Sequence, residues 1–312
     1  MSYTSKNILS IQSHVAHGYV GNVAATFPLQ LHGFDVDAVN TVSLSNHSGY
    51  PTVTGHRMDI AEYESILAGL RANGFLSTYD TVLTGYINNK DIVAAVRATV
   101  AEIRRLRAEA GRTPVRFFCD PVMGDDGKLY CSDVVIAAYR ELLGVADIAT
   151  PNYFEASVLS GVEVVDLDSA QRACDWFHQQ GTACVIIKSF KIPGDDGNLH
   201  FLLSVAEREQ TAEGNGPLVL PPRRFTGTVP FYNCRYTGTG DVFAASLVAF
   251  SHDNPIEVAV GKAMGVLQDL IRTTWEENGN ASSDQVALCE LRIVKHPESL
   301  KNPKTVVEVK QM

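Results

Sequence analysis

Residues 81–119 have the sequence TVLTGYINNKDIVAAVRATVAEIRRLRAEAGRTPVRFFC, and this stretch decides the fold class. Residues 81–86 and 115–119 are short apolar runs, which predict two buried strands. Residues 91–110 predict a helix between them, because apolar side chains recur at spacings of four and three along one face: Ile92, Val96, Val100, Ile103 and Leu106. A strand, a helix and a second strand in this order indicate two parallel strands joined by a crossover helix.

The rest of the chain repeats this alternation. Strands are predicted at residues 7–12, 36–44, 147–150 and 183–188, and helices at residues 20–31, 59–70, 154–160, 169–180, 240–250 and 256–275. We therefore predict an α/β protein with one domain over residues 1–312, built on a central, mostly parallel sheet flanked by helices on both faces. In such sheets, ligands bind outside the carboxyl ends of the strands.

One region differs in composition from this pattern. In residues 194–235, Gly, Pro and polar residues are frequent, and an alternating strand at 199–205 follows a glycine-rich turn. This composition predicts a hairpin region at the sheet edge. Residues 216–236, GPLVLPPRRFTGTVPFYNCRY, then predict a mobile loop before the glycine-rich segment that begins at Gly238.

Composition and charge exclude several classes of protein. The chain has 312 residues, 45% of them hydrophobic, and a net charge of −9, which argues against a protein that coats nucleic acid or an anionic membrane. Its six cysteines include no C-x-x-C pair, which favours free thiols in a reducing compartment. Neither an export signal nor a run of about 18 apolar residues occurs, so we expect a cytoplasmic protein.

The absence of several common motifs excludes further classes of enzyme. The sequence has no G-x-x-x-x-G-K-[ST] motif, which excludes a Walker-A nucleotide site. It has neither G-x-S-x-G nor H-E-x-x-H, the usual signals of a serine hydrolase and a zinc protease.

The strongest local signal is the segment Thr237-Gly238-Thr239-Gly240-Asp241, which stands directly before an apolar helix. Its glycines leave backbone N–H groups open, and a helix N-terminus adds free donors and partial positive charge. Together they predict a cradle for a developing phosphoryl charge. A carboxylate beside such a cradle is explained if it acts as a general base, so we predict that Asp241 takes a proton from a nucleophilic hydroxyl. The alternative is that Asp241 only caps the helix.

Carboxylates also follow two of the predicted strands. Residues 120–125, DPVMGD, contain Asp120 and Asp125, and residues 150–155, TPNYFE, contain Glu155. Hard oxygen ligands of this kind suit Mg²⁺, which binds one or two carboxylates together with water and substrate phosphates. Each residue alone is equally explained as a turn residue or N-cap.

Two polar stretches near the N-terminus, residues 10–22 and 43–50, also follow strands. They are rich in hydroxyl and amide groups, which could hydrogen-bond a small polar aromatic molecule. A histidine in such a stretch, for example His47, is also explained as an ordinary loop residue.

Taken together, these motifs resemble the pyridoxal kinase family of the ribokinase-like superfamily, in its eukaryotic form. The resemblance rests on S-I-Q-S-H-V-x-x-G-Y-V-G-N at 10–22, S-N-H-S-G-Y at 45–50, L-T-G-Y at 83–86, C-D-P-V-M-G-D at 119–125, T-P-N-x-F-E-A at 150–156 and G-T-G-D at 238–241. It spans nearly the whole chain. It implies a ribokinase-like fold and phosphorylation of the 5′-hydroxymethyl group of pyridoxal, pyridoxine and pyridoxamine by ATP, giving pyridoxal 5′-phosphate and ADP in the first case.

The resemblance also implies cofactors, partners and residue roles. The cofactors are Mg²⁺ or another divalent metal, with K⁺ assisting, and the partners are small substrates and a second copy of the chain. Asp241 is implied as the base, and the backbone of Gly238, Thr239 and Gly240 as the anion hole. Positions that contact the pyridine ring match Ser13, Ser48 and Tyr86, and those that line its pocket match Val20, Val42, Leu44 and His47. Positions around the metal and the ATP phosphates match Asp120, Asp125, Asn152 and Glu155, with Thr150 near the monovalent cation, Tyr130 in a flap over ATP, and Lys188, Ser189 and Thr239 at the nucleotide.

Two departures from the family pattern matter. Ser48 stands where relatives often carry Thr, which keeps the hydroxyl. Lys188 stands where some relatives have a small hydroxyl residue, and a lysine there could replace part of the K⁺ role or meet a phosphate. We also predict that Arg223 and Arg224, in the expected mobile loop, approach the triphosphate on closure; the alternative is an exposed basic turn.

Two rival functions stay open at the level of sequence. One is another kinase of the superfamily, acting on hydroxymethylpyrimidine or a sugar. The other is a carrier of vitamin B6 or nucleotide with an inactive site, although a pure binder needs no base beside its anion hole.

Overall fold

The computed structural model describes residues 6–125, 127–209, 217–279 and 286–312. The strands are β1 (Asn7–Val15), β2 (Asp35–Leu44), β3 (Gly55–Arg57), β4 (Thr81–Thr84), β5 (Arg116–Cys119), β6 (Gly124–Asp125), β7 (Lys128–Leu129), β8 (Ile148–Ala149), β9 (Cys184–Phe190), β10 (Asn198–Arg208), β11 (Leu218–Pro230) and β12 (Lys310–Gln311). The helices are α1 (Gly21–Leu31), α2 (Ile60–Ala72), α3 (Lys90–Glu109), α4 (Asp133–Leu143), α5 (Tyr153–Ser160), α6 (Leu167–Gln180), α7 (Thr239–Phe250), α8 (Ile256–Glu277) and α9 (Pro297–Lys301), and two 3₁₀ turns cover Phe75–Thr78 and Val286–Cys289.

Most strands join one sheet in the order β12-β11-β10-β9-β8-β5-β4-β1-β2-β3, while β6 and β7 form a separate hairpin. The strands from β9 to β2 in this order pair in parallel, and antiparallel strands extend both edges. The carboxyl ends of the parallel strands therefore lie at one edge of the sheet. This is the edge where an α/β protein binds its ligands.

Successive side chains of the strands point to opposite faces of the sheet, and each face packs against helices in an apolar core. In β1, Leu9 and Ile11 join an apolar cluster with α2, α3, α4, α5 and α6, whereas Ile8 joins a second cluster with α1, α7 and α8. Burial on both faces explains why these strands are continuous apolar runs. The predicted mostly parallel sheet flanked by helices is confirmed, including the amphipathic helix α3.

The predicted mobile loop is wrong for residues 218–230, because they form the long strand β11 against β10. The two prolines that suggested a loop, Pro221 and Pro222, lie where the pairing shifts register opposite Ala206, so their missing N–H groups cost no regular ladder bond. Phe225 and Val229 alternate into the core on the same strand. Gly216, also part of that prediction, lies outside the described residues.

The two arginines of this strand have partners on neighbouring elements. Arg224 donates to Gln171 and Asp175 of α6, and Arg223 lies 3.7 Å from Glu207. The predicted approach of both arginines to the triphosphate would therefore start from a paired strand instead of a mobile loop, and it stays a prediction. Five cysteines are free thiols, as predicted. Within the described ranges, no helix is both long and apolar enough to cross a membrane.

The C-terminal residues pack closely along α8. Asp269 of this helix is buried and accepts hydrogen bonds from the Lys304 N–H and the Thr305 hydroxyl, each at 2.6 Å. A Cβ on Gly265 would lie 2.3 Å from the Thr305 carbonyl oxygen. A glycine at this position lets the C-terminal segment approach the helix backbone.

We expect Gly265→Ala to lower the free energy of unfolding by about 1–3 kcal/mol, because the new methyl group overpacks against a fixed backbone. The matched control is Gly69→Ala inside α2, where no described atom lies within 4 Å of the added Cβ. There alanine only favours the helix, by about 0.5–1 kcal/mol. Urea denaturation compares the two variants, and equal effects would contradict close packing at Gly265.

Candidate active site

The glycine-rich turn before α7 opens at the carboxyl edge of the sheet. Gly238 is the N-cap of α7 and has φ of +82°, so it adopts a left-handed conformation that L-residues rarely take. A Cβ there would lie 2.0 Å from the Tyr19 carbonyl oxygen. The free N–H groups of the first turn, which includes Thr239 and Gly240, follow directly. The turn therefore has the geometry predicted for an anion hole.

Gly238→Ala is expected to destabilise the protein by more than the roughly 1–2 kcal/mol that a left-handed alanine costs. The excess comes from the collision of the new methyl group with Tyr19. Gly74→Ala is the matched control, since Gly74 has a similar φ of +76° and no described atom within 4 Å of its added Cβ. Thermal unfolding of both variants separates backbone strain from collision. Similar losses in the two would contradict the close contact.

Asp241 stands in the first turn of α7, half-buried beside this turn. Its pKa is raised to about 6, mainly by burial and in smaller part by the nearby Asp120 carboxylate, while a hydrogen bond from the Gly21 N–H and the charge of Lys188 act in the opposite direction. A carboxylate with this pKa is ionised near neutral pH and is still a better proton acceptor than an ordinary aspartate. Both properties suit a general base.

A buried charge cluster lies next to the anion hole. One oxygen of Asp120, Oδ1, accepts from the Lys188 ammonium at 2.6 Å and from the Thr150 hydroxyl at 2.9 Å. A Cβ on Gly240 would lie 3.3 Å from Lys188 Nζ and 3.5 Å from Asp120 Oδ2, so both groups face the turn. Burial lowers the pKa of Lys188, but Asp120 and Glu155 outweigh burial and hold it above its usual value. Lys188 is therefore a fixed positive charge.

Glu155 and Asn152 form the N-terminal cap of α5. The Asn152 side chain accepts from the Glu155 N–H, and Glu155 accepts in return from the Asn152 N–H. Burial of the Glu155 side chain raises its pKa, although a hydrogen bond accepted from the Met123 N–H acts in the opposite direction. The interpretation of these residues as caps is thus confirmed, and their role at the metal or nucleotide stays a prediction. The cap places the Glu155 carboxylate in the electrostatic field of Asp120 and Lys188.

The hairpin of β6 and β7 carries two further predicted residues, Asp125 and Tyr130. Asp125 lies near enough to Tyr130 to raise its pKa, after the larger effect of burial. The Tyr130 hydroxyl accepts a hydrogen bond from the Arg235 guanidinium at 3.1 Å. Arg235 was not singled out from the sequence. It precedes Gly238 by three residues, so this contact joins the hairpin to the anion-hole segment.

The predicted vitamin-pocket residues lie within or shortly after β1, β2 and β4. The pairing of these strands shifts between Gln12 and His14, at Ser13, and the Ser13 side chain lies against Gly21. Val42 and His47 are buried, Val20, Leu44 and Tyr86 are half-buried, and Ser48 is exposed in a turn. A cavity of about 290 Å³ is lined by Val42 and by none of the other predicted pocket residues.

The pyridoxal kinase of Sus scrofa is 35% identical over 316 residues, which cover 98% of this chain and 95% of that protein. The chain belongs to the pyridoxal kinase family. A solved pyridoxal kinase from Leishmania donovani, in complex with ADP and pyridoxine, is 60% identical, has a TM-score of 0.92 and covers 98% of this chain and 99% of that chain. The pyridoxal kinase of Trypanosoma brucei is 53% identical with a TM-score of 0.86, covering 99% and 100%.

A broader family model, described as phosphomethylpyrimidine kinase, matches residues 54–283. The relatives of the pyridoxal kinase family cover almost the whole chain, including the segments before and after that match. The predicted kinase activity and the ribokinase-like fold are confirmed. The roles of individual residues stay predictions, which the geometry above makes specific.

Proposed function

We propose that this chain transfers the terminal phosphoryl group of ATP to the 5′-hydroxymethyl group of pyridoxal, pyridoxine and pyridoxamine, with ADP as the second product. The observation that carries the proposal is the Asp241 carboxylate in the first turn of a helix whose N-terminus forms the anion hole. The solved Leishmania donovani relative, in complex with ADP and pyridoxine, supports a site that binds an adenine nucleotide and a B6 vitamer together.

In the proposed reaction, Asp241 takes the proton of the 5′-hydroxyl as its oxygen bonds to the γ-phosphorus. The bond between that phosphorus and the β,γ-bridging oxygen breaks, and its electron pair leaves on ADP. The backbone N–H groups that follow Gly238 stabilise the charge on the transferred group. Alignment of the two substrates and charge stabilisation lower the barrier, and general-base assistance contributes about 10²–10⁴-fold.

Recognition of the vitamin ring is assigned to residues around the carboxyl ends of β1, β2 and β4. Ser13, Ser48 and Tyr86 offer polar groups for the ring nitrogen and the phenolic oxygen, and the walls are Val20, Val42, Leu44 and His47. On the nucleotide side, we assign Asp125, Tyr130, Asn152, Lys188, Ser189 and Thr239. The contact between Arg235 and Tyr130 adds Arg235 to this group.

A divalent metal fits the cluster around Asp120. Asp120 Oδ2 is buried and has no hydrogen-bond partner among the described residues, so one hard oxygen is available to Mg²⁺. Asp125 and Glu155 would complete the acidic surroundings, with the Thr150 hydroxyl orienting Asp120. When bound, the metal would neutralise charge on the phosphates. In the part of the chain that the structure describes, no three His, Cys, Asp or Glu side chains form a metal site alone, so ATP would supply further ligands.

A potassium ion fits this site less well. The resemblance places the monovalent cation near Thr150, but the Thr150 hydroxyl and the Lys188 ammonium both bind Asp120 Oδ1. We therefore propose that Lys188 supplies the monovalent positive charge that K⁺ supplies in other members of the family. Its ammonium neutralises Asp120 and faces the anion hole.

The proposed function is tested by mixing the protein with MgATP and pyridoxal and following the formation of pyridoxal 5′-phosphate and ADP. Parallel reactions with hydroxymethylpyrimidine and with sugars test the rival kinases. Faster turnover of a rival substrate would contradict the proposal, and binding of pyridoxal without any ADP release would indicate a carrier.

The pH dependence follows from Asp241. Its carboxylate acts as a base only when ionised, so we expect kcat/KM to fall as the pH drops through about 6 and to level off above it. This decrease of kcat/KM at acid pH reflects protonation of the enzyme, so it should be the same for pyridoxal and pyridoxine. It should be missing from the residual activity of Asp241→Asn. An acid limb near pH 4 would contradict the raised pKa.

The proposed assembly is a homodimer, which the resemblance implies. Light scattering after size-exclusion chromatography measures this directly, since a dimer has twice the monomer mass of 33.9 kDa. A single peak at the monomer mass across the concentration range of the assay would contradict it.

A further inference from the structure

Glu290 is a buried carboxylate outside the proposed reaction centre. It binds two segments near the vitamin pocket, residues 18–21 and residues 47–50. It is 5% exposed. Glu290 Oε1 accepts from His47 Nε2 at 2.9 Å and from the Tyr50 hydroxyl at 3.3 Å, and Oε2 accepts from the Tyr19 N–H at 3.1 Å. Burial raises the pKa of Glu290, but these hydrogen bonds outweigh it and hold the pKa below its usual value, so the group is ionised.

The contact with Glu290 fixes the protonation of the His47 ring. His47 Nδ1 accepts from the Gly49 N–H at 3.1 Å, so this nitrogen carries no proton. The proton of the neutral ring is therefore on Nε2, which donates to Glu290. With both ring nitrogens bound, His47 is held in one orientation and offers its ring face to neighbours.

Residues 18–21 approach Glu290 so closely that position 18 requires a glycine. Gly18 has φ of +95°, and a Cβ there would lie 2.6 Å from Glu290 Oε1. The residues that follow Gly18 lead directly to the reaction centre: the Tyr19 carbonyl lies against Gly238, and the Gly21 N–H donates to Asp241. Glu290 itself pairs with Thr237 through a backbone bridge. One residue thus links the pocket segments with the anion-hole turn.

We infer that Glu290 is a positioning residue that holds His47 and the segment from Gly18 to Gly21 in the geometry that binds the vitamin beside Asp241. This inference rests on the proposed function. Glu290 touches no reacting atom in this assignment and acts through His47 and Tyr19. Its loss should therefore weaken vitamin binding while leaving the nucleotide side, built on Asp120, Asn152 and Tyr130, unchanged.

The test compares Glu290→Gln with wild type and with Glu277→Gln, a control that removes a more exposed carboxylate paired with Lys295 and His296. We expect Glu290→Gln to raise the KM for pyridoxal about tenfold or more, because a charged acceptor is replaced by a weaker one that also presents a donor. The KM for ATP should stay within about twofold. Glu277→Gln should match wild type in both constants.

A purely structural role would change both KM values together or neither, and either result would overturn the inference. Imidazole ¹⁵N NMR gives a readout independent of turnover: His47 should show the Nε2-protonated form in wild type and lose its fixed tautomer in Glu290→Gln. Tyr50→Phe, which removes one donor to Glu290, keeps the test decisive if Glu290→Gln fails to fold. It should raise the pyridoxal KM by a smaller factor, and an unchanged KM would count against the inference. A wild-type protein that forms no pyridoxal 5′-phosphate would instead refute the proposed function.

Discussion

Asp241→Asn is expected to lower kcat by about 10²–10⁴-fold, with the KM for ATP unchanged within about twofold. An asparagine keeps the size of the side chain and can still accept a hydrogen bond from the Gly21 N–H. It cannot accept a proton from the 5′-hydroxyl. Apart from Thr239, the residues assigned to the nucleotide lie in other segments of the chain, so ATP binding should survive the change.

The matched control is Asp91→Asn, the same substitution in the first turn of α3, where Asp91 is exposed. It should leave kcat unchanged. Steady-state kinetics of pyridoxal phosphorylation measure both variants, and calorimetry with ATP measures nucleotide binding separately. Full activity of Asp241→Asn would remove the base assignment, and loss of ATP binding would show that Asp241 acts on the nucleotide instead.

Lys188→Met is expected to lower kcat by about 10²-fold or more, because it removes the fixed positive charge that faces the anion hole. The same change leaves Asp120 and Glu155 without their cation. Removing one partner of a buried ion pair typically costs about 3–5 kcal/mol of stability. Lys188 is 11% exposed, so little water can replace the lost charge.

A second substitution at this position separates charge from packing. Lys188→Thr introduces the small hydroxyl residue of other family members, and we expect K⁺ to restore part of its activity, whereas tetramethylammonium should not. The wild-type enzyme should be indifferent to K⁺. Lys262→Met, at an exposed position of α8, is the control for lysine removal in general. A wild-type enzyme that requires K⁺ would contradict the role of Lys188.

The sequence predicts this fold well where the signal is local. The apolar stripe of α3 and the buried runs of β1, β5 and β9 follow from periodicity, and the turn at Gly238 follows from its glycines. The failure at β11 has a physical cause: Pro221 and Pro222 are local signals for a loop, but pairing with β10 is a non-local interaction that outweighs them.

The site was predictable to the extent that its residues follow strands or begin helices. Asp120 and Thr150 follow strands, and the structure brings them together with Lys188, which lies inside β9. Glu290 and Arg235 carry no such signal. Their contacts join residues 243 and 105 positions apart in the chain, and one sequence without its fold contains nothing that pairs them.

The cap of α5 has a consequence for directed evolution. Glu155 caps the first turn of that helix and also lies in the electrostatic field of Asp120 and Lys188, so one side chain is selected both for folding and for activity. A library randomised at this codon and screened only for turnover would discard clones that misfold together with clones that fold but work slowly. Sorting the library first for soluble protein would separate the two demands.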